Sequence, residues 1–184
     1  MESRRHAERR GAKIIAEVAG YSKSMDGYDH TNLHVQNVAR TTVESLQHPY
    51  KKEFQKPDAI FAHATSTQSG DRAEAQVFYT VFEDLLNSMP ITAIKSNLGH
   101  LVGGAGAVNL ITAIQSIEQG VVPHILNLEN PRLNLEDLTV PDDPIIDHFD
   151  FVRDQPRQMN IDSALVVAYG FGGHNASMLV RKPG

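Results

Sequence analysis

The chain alternates between stretches of helical hydrophobic spacing and short apolar runs, which predicts helices interleaved with strands. Residues 33–47 predict an amphipathic helix because apolar or small side chains recur near helical spacing at Val35, Val38, Ala39, Thr42 and Leu46. Further helices are predicted over residues 2–10, 71–87 and 104–119, with Gly11 and Gly120 as stop signals. The apolar runs that predict strands are residues 12–22, 58–64, 91–96, 163–170 and 176–182.

Strands that alternate with helices indicate an α/β layered domain. The last two predicted strands flank the segment FGGHN at residues 171–175, which predicts an antiparallel pair around a glycine loop. No repeat or flexible linker divides the 184 residues, so we expect one domain. Its predicted core is a mixed five-stranded sheet with helices packed on it.

Composition excludes several classes of function. Hydrophobic residues make up 41% of the chain and charged residues 21%, and the net charge of −5 argues against general nucleic-acid binding. No apolar run approaches the roughly 20 residues of a membrane span, and the N-terminus has no apolar core of a secretory signal. The absence of cysteine excludes disulfides, thiolate metal sites and a cysteine nucleophile from these residues.

The first 13 residues carry more basic than acidic side chains. Arg4, Arg5, Arg9, Arg10 and Lys13 outnumber Glu2 and Glu8 in this segment. They indicate either a surface for an acidic partner or a solvated helix face, and we favour the solvated face.

Three predicted strands end in residues that can carry chemistry. His63, Thr65 and Thr67 follow the first, Lys95 and His100 the second, and the loop from Gly170 to Gly173 the third. Because ligands bind at the carboxyl ends of strands in open α/β sheets, neighbouring strands would bring two histidines and a lysine together. Taken singly, each residue also has a purely structural interpretation, such as a histidine with satisfied hydrogen bonds or a helix cap.

Two other binding chemistries are disfavoured. The stretch GGAGAVN lacks the last glycine and the acidic residue of a dinucleotide-binding fingerprint. His30 and His34 have metal-compatible spacing, but no third ligand accompanies them, so no metal site is expected.

Taken together, the stretches HATSTQSGDRAEA, IKSNLGHLVGGAGAV and YGFGGHNAS resemble the second half of β-ketoacyl-acyl-carrier-protein synthases of the elongating type. The resemblance covers almost the whole chain. It implies one half of a thiolase-like fold, and a decarboxylative condensation of malonyl-acyl carrier protein with an acyl thioester in fatty acid or polyketide biosynthesis. It implies no resident cofactor, because the phosphopantetheine of acyl carrier protein, the expected partner, carries the acyl and malonyl groups.

The resemblance also implies roles for single residues. His63 and His100 match the two active-site histidines, whose N–H groups would stabilise the enolate formed on decarboxylation. Lys95 matches the active-site lysine, and Glu74 matches a carboxylate that pairs with it. Separately, the spacing of Asp71 and Glu74 at the start of the predicted helix is similar to that of a helix capping box. Thr65 and Thr67 match threonines that contact the pantetheine arm. Phe171 matches a gating phenylalanine, which Gly170, Gly172 and Gly173 would allow to move.

The family's nucleophilic cysteine belongs to the first half of the polypeptide, so we expect that amino-terminal half to be absent from residues 1–184. A cysteine-bearing half on another chain or segment would then complete the site, or a homo- or hetero-oligomer would do so. We expect the protein to lie in the cytoplasm. The alternative is a non-catalytic fragment or interaction subunit that binds acyl carrier protein or a synthase partner.

Three further expectations concern structure. The helix at 104–119 should expose an apolar face through Val108, Ile111, Ile114 and Ile117. Val167 and Ala168 stand where the family commonly has Asn-Ser, so the resemblance does not determine the loop geometry near Phe171. Residues 141–158 look longer than the corresponding family segment and are expected to form a surface excursion.

Overall fold

The structure is a computed structural model that describes residues 1–47, 53–130, 135, 139–140 and 143–184. Its α-helices are α1 (Arg4–Arg9), α2 (Val35–Leu46), α3 (Gln68–Phe82), α4 (Lys95–Leu98) and α5 (Ala105–Gln119). Its β-strands are β1 (Glu17–Met25), β2 (Ala59–Phe61), β3 (Pro90–Thr92), β4 (Val121–Val122), β5 (Thr139–Val140), β6 (Asp143–Pro144), β7 (Asp150–Phe151), β8 (Arg157–Gln158), β9 (Ser163–Gly170) and β10 (His174–Arg181). Short 3-10 helices span Glu83–Ser88, Val102–Gly104 and Ile145–His148.

Six strands form one mixed sheet in the order β1-β10-β9-β2-β3-β7. β1, β10 and β9 pair antiparallel, whereas β9, β2, β3 and β7 run parallel. The parallel strands β9, β2 and β3 are therefore neighbours, and their carboxyl ends lie at one edge of the sheet.

Helices cover both faces of the sheet, and each face has its own apolar core. On one face, Leu165 and Val167 of β9 pack in a cluster with residues of α2 and α3. On the other face, Ala164 and Val166 of the same strand pack with Ala113 of α5. This burial on both sides explains why β9 is a continuous apolar run rather than an alternating pattern.

A close approach of α2 to β1 depends on Gly20. A Cβ at Gly20 would lie 1.9 Å from the backbone oxygen of Ser45, near the C-terminal end of α2. The strand register also shifts between Val18 and Gly20. Only a residue without a side chain allows the helix backbone to pack this closely against the strand.

The predicted sheet of five strands is wrong by one strand. The sixth is β7, which pairs parallel with β3 through Pro90 and Ile91. It lies within residues 141–158, whose described part also contains the buried side chains of Ile145, Ile146 and Val152. The expectation of a surface excursion is therefore wrong for these residues.

Several predicted boundaries also move. The strand predicted at 12–22 runs instead over Glu17–Met25, and the strands predicted at 58–64 and 91–96 are the three-residue β2 and β3. The helix predicted at 71–87 begins at Gln68 and gives way to a 3-10 helix at Glu83, whose φ of 48° interrupts it. In contrast, α5 ends at Gly120 in the left-handed conformation, as predicted.

The basic N-terminal segment is largely neutralised within the chain. Arg4 pairs with Glu17, Arg10 with Glu2, and Lys13 with Glu118 at 3.4 Å. These ion pairs support the interpretation of a solvated helix face with locally balanced charge.

Candidate active site

Two predicted site residues lie just beyond the carboxyl ends of adjacent strands. His63 lies two residues after β2, and Lys95 lies three residues after β3, where it begins α4. Since β2 and β3 pair parallel, both side chains project from the same edge of the sheet.

The lysine and the two histidines converge at this edge. Lys95 Nζ lies 3.3 Å from His63 Nδ1 and also donates a hydrogen bond to the His63 carbonyl oxygen. The ring centroids of His63 and His100 are 5.9 Å apart, with an interplanar angle of 88°. The structure therefore brings His63, Lys95 and His100 into a single cluster.

Hydrogen bonds select one tautomer of His63. The backbone N–H of Tyr169, on β9, donates to His63 Nδ1 at 3.3 Å, and the Lys95 ammonium approaches the same nitrogen. Because both groups can only donate, Nδ1 must accept, and the proton of the neutral ring lies on Nε2.

His100 has the same arrangement. The backbone N–H of Val102 donates to His100 Nδ1 at 3.2 Å, so the neutral ring again carries its proton on Nε2. Val102 adopts a φ of 49°, which is unusual for a β-branched residue and marks local strain beside the histidine. The cluster thus presents two Nε2–H donors.

His63 stays neutral near physiological pH. Burial, together with the nearby charges of Lys95 and His100, lowers the pKa of His63 to about 3. A neutral imidazole can donate a hydrogen bond from Nε2 while Nδ1 accepts another. Burial also lowers the pKa of Lys95, while Glu74 opposes that shift.

Glu74 holds the backbone that carries His63. It is 5% exposed, and its carboxylate accepts hydrogen bonds from the backbone N–H groups of His63 at 2.8 Å and Ala64 at 2.7 Å. Burial raises the pKa of Glu74 to about 7, and these two backbone donors oppose the shift.

Two expectations for Glu74 need correction. Among the described residues the carboxylate forms no ion pair with Lys95; the two side chains are connected through the backbone of His63. It also lies outside the first turn of α3, which begins at Gln68, so it does not take part in a capping box. Asp71 instead accepts from the backbone N–H of Ser66 at 3.1 Å.

The loop after His63 has strained backbone. Ala64 and Ser66 have φ values of 35° and 61°, in the left-handed region that non-glycine residues rarely adopt. The Thr65 and Thr67 hydroxyls lie 3.2 Å apart on this loop. Thr65 is half-buried, whereas Thr67 is exposed at the N-terminal end of α3.

A cavity of about 570 Å³ adjoins the cluster. Its polar side includes Thr65, Glu74, Lys95 and His100, and its apolar side includes Phe78, Ile91, Phe149 and Phe151. His63 does not line it. The cavity therefore combines one charged wall with one aromatic wall, an arrangement suited to a ligand with a polar head and an apolar tail.

Phe171 stands on the loop between β9 and β10, with 80% of its surface exposed. Two backbone hydrogen bonds join this loop to residues 26–30: Gly172 N–H donates to the His30 carbonyl at 3.0 Å, and Asp26 N–H donates to the Gly173 carbonyl at 3.1 Å. Gly170, by contrast, belongs to the β9–β10 ladder, opposite His174. The loop is thus anchored by residues 26–30 at the base of the phenylalanine.

Gly173 is required where the loop meets this anchor. Its φ is 80°, and a Cβ there would lie 2.3 Å from Asp26 Oδ1. Any larger residue would push the loop away from the anchor.

The predicted apolar face of α5 is only partly exposed. Ile111 is 59% exposed, Val108 and Ile114 are half-buried, and Ile117 is buried in the core on that face of the sheet. The expectation for Ile117 is wrong because its side chain faces the sheet. The other large exposed apolar residues of this region are Leu98, Leu101 and Val102, which flank His100 in the sequence, and Phe171.

Two contributors to the site were missed by sequence reasoning. Tyr169 acts through its backbone N–H, which no side-chain pattern reveals. Asn109 on α5 donates to backbone carbonyls next to His63, and a polar residue on an otherwise apolar helix face was the available signal.

Comparisons with known proteins show the family to which the chain belongs. The family model described as "Beta-ketoacyl synthase, C-terminal domain" matches residues 15–129. The mitochondrial 3-oxoacyl-[acyl-carrier-protein] synthase of Arabidopsis thaliana is 36% identical, covering 97% of this chain and 37% of its own length. A 3-oxoacyl-[acyl-carrier-protein] synthase homolog of Saccharomyces cerevisiae is 38% identical, covering 99% of this chain and 41% of its own length.

Solved structures give the same result. A β-ketoacyl synthase from Burkholderia phymatum matches with a TM-score of 0.82 at 28% identity, covering 100% of this chain and 41% of its own. A type II polyketide synthase acyl-carrier protein in complex with its ketosynthase matches with a TM-score of 0.83 at 28% identity, covering 100% and 42%.

The fold is that of ketosynthases, which confirms the predicted thiolase-like class. The chain belongs to the β-ketoacyl synthase family and corresponds to its C-terminal domain. It spans about two fifths of the length of the curated relatives it matches. Among the described residues, no helix combines the length and apolar character needed to cross a bilayer.

Proposed function

We propose that this chain supplies the decarboxylation part of a β-ketoacyl-acyl-carrier-protein synthase site. The observation that supports this most strongly is the pair of imidazoles, His63 and His100, each with its proton on Nε2 and with ring centroids 5.9 Å apart. Two such donors can both serve one developing oxyanion, which is what decarboxylation of a malonyl thioester creates.

The proposed reaction has two steps. Malonyl on acyl carrier protein loses carbon dioxide, and the electron pair of the broken C–C bond moves into the thioester as an enolate, whose oxygen the two Nε2–H groups stabilise. The enolate carbon then attacks an acyl group held as a cysteine thioester; a C–C bond forms and the cysteine leaves as thiolate. Since residues 1–184 contain no cysteine, the nucleophile comes from a separate cysteine-bearing segment or subunit.

Lys95 and Glu74 support the histidine in this scheme. Lys95 keeps Nδ1 of His63 unprotonated and holds its carbonyl, and Glu74 holds its backbone N–H. In this scheme Thr65 and Thr67 bind the pantetheine arm of acyl carrier protein, and Phe171 acts as a gate. The position of Thr65 in the lining of the cavity, with Lys95 and His100, supports the first of these roles. The acyl-carrier complex among the structural neighbours supports this choice of partner.

The test is complementation. The full chain is mixed with a separately expressed cysteine-bearing half, and formation of β-ketoacyl-acyl carrier protein from malonyl-acyl carrier protein is followed by mass spectrometry. H63A and H100A should each lower the rate about 100- to 1000-fold, the loss typical of one oxyanion donor. H6A, on the exposed helix α1, is the matched control. Equal rates in all three variants would refute the proposal.

A second candidate function is that of an interaction subunit without chemistry. Exposed apolar residues next to His100 in the chain, Leu98, Leu101 and Val102, favour an interface at this surface. The ishigamide ketosynthase/chain length factor is among the similar structures, with a TM-score of 0.82 and 29% identity. If this function is the correct one, H63A and H100A should still bind acyl carrier protein or the cysteine-bearing half with unchanged affinity and should not change any rate.

A further inference from the structure

Asn109 is a fully buried polar residue on the sheet-facing side of α5. It is 1% exposed, and its Nδ2 donates to the carbonyl oxygens of Phe61 at 3.1 Å and Ala62 at 3.2 Å. These carbonyls lie where β2 ends, directly before His63. A buried amide that bonds the backbone at this place is in a position to determine where the next residue lies.

The backbone around His63 has lost its strand partners and depends on side chains. Residues 62–66 are irregular, and Ala64 and Ser66 have left-handed φ values. In this stretch a backbone-to-backbone bond remains at Ala62, whose N–H donates to the Thr92 carbonyl. A buried backbone polar group without a partner is costly, so other groups must satisfy the rest.

Four side chains from three helices do so: Asp71 of α3 accepts from the N–H of Ser66, and the other three bond the residues nearest His63. Asn109 of α5 takes the carbonyls of Phe61 and Ala62. Glu74 of α3 takes the N–H groups of His63 and Ala64. Lys95 of α4 takes the carbonyl of His63. The amide and the ammonium donate to backbone carbonyls, and the carboxylates accept from backbone N–H groups. Each of these contacts therefore pairs a donor with an acceptor.

We propose that Asn109 is a positioning residue for His63, which fixes the histidine through the carbonyls of the two residues before it. The catalytic consequence of this inference rests on the proposed function, because that function uses the His63 Nε2–H as a hydrogen-bond donor to the substrate. Its geometric content, that the Asn109 amide sets the orientation of His63, does not depend on activity.

The two ends of the Asn109 side chain show which atom matters. Its Oδ1 is buried without a hydrogen-bond partner among the described residues, whereas Nδ2 is shared by two acceptors. The position therefore requires a donor. An aspartate of nearly equal size would set a carboxylate oxygen against two carbonyl oxygens, losing both bonds and adding repulsion.

The test uses three variants on α5. N109D removes the donors and adds charge, and N109A removes the donors alone. T112V is the matched control, because Thr112 is half-buried on the same helix and its hydroxyl bonds only the Val108 carbonyl within that helix. The readout is the 15N NMR pattern of the imidazole nitrogens in the full chain between pH 5 and 8, with near-UV circular dichroism to confirm the fold.

In the unchanged protein and in T112V, His63 should show only the Nε2–H tautomer and no titration in this range. In N109D and N109A, a second tautomer should appear and the His63 pKa should rise from about 3 toward the ordinary 6.5, while the pattern of His100 stays unchanged.

Two outcomes would overturn the inference. One is a folded N109A whose His63 pattern equals that of T112V. The other is loss of the fold in both Asn109 variants, which would give Asn109 a general structural role without specificity for His63. If N109D alone fails to fold, N109A decides between the outcomes. Loss of condensation with an unchanged His63 pattern would count against the inference and leave the proposed function intact.

Discussion

Replacement of Glu74 by glutamine should change how the stability of the protein depends on pH. The carboxyl group is buried, and burial raises its pKa from 4.5 to about 7. A group whose folded pKa is raised stabilises the fold fully below the unfolded pKa and loses that contribution as pH rises through the folded pKa. The window for this residue therefore runs from about pH 4.5 to about 7.

The magnitude follows from the size of the shift. The difference between 4.5 and about 7, at ~1.4 kcal/mol per pKa unit, corresponds to about 3 kcal/mol. The free energy of unfolding of the unchanged protein, minus that of E74Q, should therefore fall by about 3 kcal/mol from pH 4 to pH 8. Taking the difference cancels the titrating groups other than Asp71 and Lys95, whose charges act on Glu74. His63, whose contribution has the opposite sign in this range, is among the cancelled groups.

The assay is urea unfolding followed by circular dichroism at half-unit pH steps, with free energies from linear extrapolation. E44Q, at an exposed glutamate on α2, controls for the loss of one negative charge. A difference that stays constant or increases with pH would refute the reasoning. It would mean that the backbone donors at His63 and Ala64 outweigh burial, so that the carboxylate is ionised throughout.

Two further predictions use the same unfolding measurements. The folded pKa of His63 is lowered from 6.5 to about 3. The contribution of His63 to stability is therefore present above pH 6.5 and is lost as pH falls toward 3. Between pH 8 and 4.5 the unchanged protein should lose about 3 kcal/mol more stability than H63Q. Parallel curves for the two proteins would show that His63 titrates normally. In the glycine loop, G172A should lower the free energy of unfolding by about 1 kcal/mol because of its left-handed backbone alone. The added Cβ would meet no clash, since its nearest atom, on the His174 ring, would be 3.9 Å away. G173A should cost about 1–3 kcal/mol more, because its Cβ collides with the Asp26 anchor, and equal losses in thermal unfolding would contradict the anchor.

Local pattern was sufficient for the elements whose burial is decided by their own spacing. The helix at 33–47 and the end of α5 at Gly120 were predicted because amphipathic period and a left-handed stop are properties of neighbouring residues. The two residues of β7 have no such pattern. They become a strand only because β3 offers an unpaired edge, which is a fact of the assembled sheet.

The same division applies to the candidate site. His63, Lys95 and His100 were identifiable because polar side chains directly after apolar runs are unusual, and the resemblance of the motifs gave them roles. The direct contacts of Glu74 were predicted incorrectly: its spacing to Asp71 suggested a helix cap, and the resemblance suggested an ion pair with Lys95. The charges of Glu74 and Lys95 do act on each other's pKa, but without direct contact. Its actual contacts are the backbone N–H groups of residues on a different element.

The sequence by itself determined which side chains could take part in chemistry. Its apolar runs also predicted the strands at whose ends these side chains lie. Only the tertiary structure decided their tautomers, charges and supports. Those properties depend on distances between residues far apart in the chain, such as Tyr169 to His63 and Asn109 to Phe61. Hydrogen bonding and burial act over a few ångströms, and separation along the chain does not report that distance.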